Sequence, residues 1–161
     1  MARTSQEMEA AIEAVREEDY LRALTMFHDL YGDEDGPPIQ TPKDATGLSF
    51  FGLALALVQR KFKPAIDLCK RAIELEFYNG DHYANLTKVY IAAGNRRKAL
   101  ETVEQGLKLI PDHEALMEVR ASMGNRARPS VPFLDRSHPI NVTLGQSRHA
   151  KKVADEEKKR R

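Results

Sequence analysis

"YIAAGNRRKALETVEQGLKLIP", residues 90–111, holds small residues at set places, with Gly94, Ala99 and Gly106 between Tyr90 and Pro111. Moved back by 34 residues it falls on "ALALVQRKFKPAIDLCKRAIELEF", residues 54–77: Ala56 lies under Tyr90, Ala65 under Ala99, Cys69 under Val103, Ala72 under Gly106 and Phe77 under Pro111. Further upstream "AIEAVREEDYLRALTMFHDLY", residues 11–31, repeats the pattern with Ala11, Ala14, Tyr20, Ala23 and Phe27. Ala23 and Ala65 are 42 residues apart, so an eight-residue insertion sits in "YGDEDGPPIQTPKDA", residues 31–45. Repetition at this period points to stacked helical hairpins.

Each recurring residue has a steric role in such a hairpin. Ala23, Ala65 and Ala99 let the second helix approach the first, and Ala72 and Gly106 admit the next hairpin; larger side chains there push helices apart. Gly94 suits the turn, where a positive φ is cheap for glycine. Asp19 and Asn95, one residue further on in their repeats, are good N-caps. Pro64 falls in a first helical turn, where its missing N–H costs little. "DHEALMEVRASMG", residues 112–124, predicts a closing helix with Asp112 as N-cap and Gly124 as stop.

The third repeat resembles the tetratricopeptide repeat (TPR) family. Tyr83, Leu86, Thr87, Tyr90, Gly94, Ala99, Gly106 and Pro111 meet its pattern of aromatic, Leu, small, Tyr, Gly, Ala, small and Pro. The second repeat departs from it, with Ser49 for the aromatic, Gly52–Leu53 for Leu–small, Arg60 for the turn glycine and Phe77 for proline. The resemblance covers about residues 4–123. It implies an all-α solenoid of about three hairpins (repeats near 4–37, 46–79 and 80–113, insertion loop near 31–45) plus a capping helix, together residues 1–124. An extended segment (125–149) and a charged tail (150–161) follow. Small bacterial TPR proteins with Arg/Pro-containing tails are similar in this respect.

The resemblance further implies that the first helix of each hairpin lines a concave groove. By register the binding positions are Met8, Ile12 and Val15, then Phe50, Ala54 and Leu57, then Asn85, Lys88 and Ile91. Val58, Asp81 and Ala84 lie beside them. Some TPR proteins grip a C-terminal carboxylate with Lys, Asn and Arg on these helices. Here Asn85 matches one position, but Phe50, Ala54, Ala115 and Val119 stand at the companions, so a carboxylate would lack its cations. The expected function is a non-enzymatic protein-interaction module holding a peptide segment. A small secretion-type chaperone for an apolar client is the alternative.

Catalytic and metal chemistry find no pattern. "GDEDG", residues 32–36, would need Tyr31 and Pro42 as calcium ligands. His28, His82, His113, His138 and His149 are scattered, and Asp135, Ser137 and His138 sit too close in sequence to imply a triad. No enzyme, cofactor or metal is expected. The lone Cys69 forms no internal disulfide and suits a reducing compartment. "MARTSQEMEAAIEAVREEDY", residues 1–20, carries acids where a secretory signal has its apolar run, so the expected location is cytoplasmic, without membrane insertion.

The net charge of +1 conceals a polarity. Residues 1–35 hold ten acids against three bases, and residues 120–161 hold eleven bases against four acids. A basic tail raises nucleic-acid binding as a third reading, but Phe133 is its single aromatic and Asp155, Glu156 and Glu157 interrupt the bases. Pro129, Pro132 and Pro139 favour extended backbone around Val131, Phe133 and Leu134. That apolar cluster is expected to dock, on the chain's own groove in preference to another copy.

Overall fold

A computed structural model describes residues 2–31, 42–124, 138–140, 142–147 and 150–151. The chain divides into two units, Met1–Met123 and Gly124–Arg161. The first contains α1 (Ala2–Arg16), α2 (Tyr20–Tyr31), α3 (Pro42–Gln59), α4 (Phe62–Leu75), α5 (Gly80–Ala92), α6 (Arg96–Leu109) and α7 (Glu114–Ser122). Among the described residues there is no strand, so the fold is all-α as expected.

Consecutive helices pair as hairpins, α1 with α2, α3 with α4 and α5 with α6. The odd-numbered helices also touch in series, and each even-numbered helix touches the odd one that follows it. Among the described residues α2 does not touch α4, nor α4 touch α6. This pairing makes two layers in a helical-repeat arrangement, with the odd-numbered helices as the continuous inner row.

The turns carry the repeat in their backbone. Glu18 (φ 63°), Arg60 (φ 59°) and Gly94 (φ 74°) are left-handed, and they recur at the same 42- and 34-residue intervals as the alanines. In the first and third turns a bond reaches back five residues, from Asp19 N–H to Ala14 O and from Asn95 N–H to Tyr90 O, each 2.9 Å. Such bonds close a helix on a left-handed residue. Asp19 Oδ1 then accepts from Arg22 N–H and Asn95 Oδ1 from Lys98 N–H, both at 3.2 Å, which satisfies donors that a helix start leaves open. Lys61 makes no side-chain cap; Pro64 sits in the first turn of α4.

Ala23, Ala65, Ala72 and Ala99 are wholly buried, and Gly106 lies against Tyr83 and Leu116. Around Phe51 gather Phe27 (5.5 Å between centroids), His28 (5.6 Å, edge-on) and Tyr31 (6.2 Å). The helix at the centre is α3, which touches α1, α2, α4 and α5. Leu48, Phe51, Leu53, Ala54, Leu55 and Ala56 are all buried, so α3 has no polar stripe, as befits a helix covered all round.

Two boundaries differ from expectation. Residues 42–45, assigned to the insertion loop, are the first turn of α3, because Pro42 at a helix start needs no N–H partner; residues 32–41 lie outside the described residues. The cap of α7 is His113 rather than Asp112, and it makes no side-chain cap bond. Gly124 follows with φ 60°.

In the second unit, residues 139–140 and 142–147 are helical where extended backbone was expected, and residues 150–151 at the start of the charged tail are helical as well. Pro139 opens the turn and no proline follows. Val142 N–H donates to His138 O (3.1 Å) and Thr143 Oγ1–H to Pro139 O (2.8 Å), so the last proline starts a helix instead of preventing one. The expected docking residues Val131, Phe133 and Leu134 lie outside the described residues.

Candidate functional site

The inner row of helices encloses a groove of about 780 Å³ within the first unit. Its lining follows helical spacing: Val15 and Arg16 from α1, Phe50, Leu53 and Leu57 from α3, Asp81, Asn85, Lys88, Ile91 and Ala92 from α5, and Glu114, Ala115, Glu118, Val119 and Ser122 from α7. Glu18 from the first turn and Tyr20 at the start of α2 complete the lining. Four successive inner helices thus present one stripe each to the same space.

Six of the nine expected positions meet there: Val15, Phe50, Leu57, Asn85, Lys88 and Ile91. Met8, Ile12 and Ala54 do not line it and are buried in the core. The Tyr31 hydroxyl donates to Met8 Sδ at 2.8 Å, so Met8 faces α2 rather than the groove. Ala54, between Phe50 and Leu57 on the same stripe of α3, is wholly buried. Val58 and Ala84 likewise lie off the groove, whereas Asp81 lines it.

Phe50 is 5% exposed, and the Arg16 guanidinium lies 5.6 Å from its ring centroid. A cation over an aromatic face shields it from water. Phe50 therefore forms floor beneath Arg16 instead of an open apolar anchor. The accessible apolar surface comes from half-buried Leu57 and from Ile91, which is 42% exposed. Ala92 and Ala115 add partly exposed surface beside them.

Asn85 is 4% exposed. Its Nδ2 donates to Ser49 Oγ at 3.1 Å, while Oδ1 has no hydrogen-bond partner among the described residues. Ser49, which stands where the repeat pattern has an aromatic, thus orients the amide. Cys69 Sγ–H donates to Ser49 O at 3.5 Å, and burial pushes this thiol up to about 12, leaving it unionised and inert.

The rim is charged. Arg16 lies 3.5 Å from Glu13 and 3.7 Å from Asp81, and His113 Nε2 lies 3.4 Å from the other Asp81 oxygen. Burial, and then the nearby Glu18 carboxylate, push the Tyr20 phenol above its ordinary 10.0. The register missed the rim residues Arg16, Glu18, Glu114 and Glu118. The signal was the acid pair four residues apart in "EALME", residues 114–118, on one face of a helix.

Among the described residues no group of three or more His, Cys, Asp or Glu is placed to hold a metal ion, and no helix is long and apolar enough to cross a membrane. No protein-family model matches the chain, and no curated protein matches it.

Proposed function

We propose that residues 1–124 form a TPR-type protein-interaction module that holds a peptide segment in the groove of the inner helices, without enzymatic chemistry. The observation that carries this reading is the convergence of α1, α3, α5 and α7 on one space with an apolar floor, a charged rim and the oriented Asn85 amide. A groove of this make-up anchors an apolar side chain on Leu57 and Ile91. It then fixes the peptide's orientation through Asn85 and Lys88. Polar groups among apolar ones favour a defined segment over an unfolded client, because a hydrogen-bonding site penalises ligands that leave its groups unpaired. The rim holds four acids against Arg16 and Lys88, which disfavours a phosphate backbone.

The test uses a displayed random-peptide library on immobilised wild-type protein and on the double variant Leu57→Glu, Ile91→Glu. Melting curves first establish that the variant folds. Sequences enriched on wild type and lost on the variant are the expected result. Equal enrichment on both, or none on wild type, would overturn the assignment.

A further inference from the structure

We propose that the groove's occupant is a basic segment of a partner protein, with Lys or Arg flanking an apolar anchor; this rests on the reading just given and adds the chemistry of the ligand. The rim carries Glu18, Asp81, Glu114 and Glu118 against Arg16 and Lys88. Arg16 is already engaged by Glu13, by Asp81 and by the Phe50 ring. The carboxylates of Glu18, Glu114 and Glu118 have no ion-pair or hydrogen-bond partner among the described residues, and all three residues are exposed.

The arrangement on α7 is unfavourable for the free protein. Glu114 and Glu118 stand four residues apart on one helix face, where like charges repel. Glu114 gains from the helix N-terminus, but Glu118 lies a turn further in, where that benefit has faded. Across the groove Glu18 occupies a left-handed position (φ 63°) that glycine would fill with less strain. A cationic ligand between α7 and the first turn would relieve the repulsion on α7 and pair with the Glu18 carboxylate.

The buried amide independently calls for a hydrogen-bond donor in the groove, which a basic segment supplies. Asn85 is held by Ser49 through Nδ2, which leaves the carbonyl Oδ1 as an acceptor at the groove. It matches a donor: a backbone N–H, an ammonium or a guanidinium. Leu57 and Ile91 supply the apolar floor, so charge alone does not fill the site. Lys88 is the exception on the rim, and it suits a carbonyl or an acidic residue of the same segment.

The experiment measures fluorescence anisotropy of three short labelled peptides on the full chain. One carries Lys and Arg around Leu and Phe, the second has Glu in place of every Lys and Arg, and the third keeps the bases but has Ser for Leu and Phe. The first is expected to bind at least about tenfold more tightly than either of the others. Glu118→Lys, at an exposed position, should weaken it by about tenfold and Glu118→Gln by less, with melting unchanged. Raising salt should reduce affinity only moderately, since the anchor is apolar.

Preference for the acidic peptide, equal binding of the Ser peptide, or indifference to Glu118→Lys would overturn the inference while leaving the groove reading intact. Failure of all three peptides, together with an empty library selection, would remove the groove reading itself. Concentration-dependent self-association abolished by Glu118→Lys would make the occupant a second copy, and so overturn the separate partner.

Discussion

The hairpins α3–α4 and α5–α6 share one 34-residue register and are built by different means. In α5–α6 the signals are local: Gly94 supplies the left-handed turn, Asn95 caps α6, and Asn79 Oδ1 accepts from Asp81 N–H at 3.1 Å to cap α5. In α3–α4 the turn residue is Arg60 in a left-handed conformation, followed by Lys61 without a cap bond. That hairpin is held by burial instead. A Cβ on Gly52 would lie 2.9 Å from both Ala65 O and Cys69 Sγ, so α3 and α4 are in close approach. At the matching place in α5 stands Leu86, which lines a space of about 240 Å³ among α4, α5 and α6. A repeat can thus be kept by turn chemistry or by packing, and weak turn chemistry is tolerated where packing is densest.

The contrast can be broken at its strongest point first. Phe51→Ala removes the ring around which α2 and α3 pack and should cost about 3–5 kcal/mol in urea unfolding; a loss under about 1 kcal/mol would show that α3–α4 does not depend on its burial. Gly52→Leu should cost about 1–3 kcal/mol by overpacking against the Ala65 backbone, and an unchanged melt would mean that the helices are not in close approach.

The turns sharpen it from the other side. Gly94→Ala should cost about 1 kcal/mol, and Glu18→Gly should gain about 1 kcal/mol, since each changes the strain of one left-handed residue. Melting shifts of the same sign for both would show that left-handed strain does not set the stability of these turns.

A smaller effect separates the hairpins by pH. His82 is fully buried, its Nε2–H donates to Glu76 Oε2 at 3.1 Å, and Nδ1 has no partner among the described residues. Burial lowers its pKa below the ordinary 6.5, against the opposing pull of Glu76. The unfolded chain therefore takes up a proton before the folded one does. Stability from this site is fully present above the ordinary value and is lost as pH falls below 6.5. Thermal melts at neutral and mildly acidic pH should show a smaller drop for His82→Phe than for wild type, and parallel drops would exclude His82 as the cause.

The repeat was legible because alanine and glycine at helix contacts are steric demands, which sequence expresses directly. Ala65, Ala99 and Gly106 announce themselves by size alone. Pro42 did not, since a proline after an acidic, glycine-containing stretch reads equally as loop or as helix start. In the groove, Asn85 and Ile91 followed from register, whereas Met8 and Ala54 failed because register gives a helix face but not how much of it neighbours cover. The acids of α7 escaped because the register set only Ala115 and Val119 of that helix beside the groove; both line it, and Glu114 and Glu118, one residue before each, widen the stripe that the helix presents.

The burial of α3 on every side bears on cooperativity. A helix with no solvent-facing stripe gains little by forming with one neighbour alone, and α3 is in contact with helices on both sides of it in the chain. An array whose units were separable would fray from its ends, each repeat melting by its own small free energy. Here the middle element couples both ends, so α1–α2 and α5–α6 lose their support together when α3 leaves. The amides of α3 are accordingly expected to exchange through global unfolding, with the groove that spans four helices opening and closing as one thermodynamic unit.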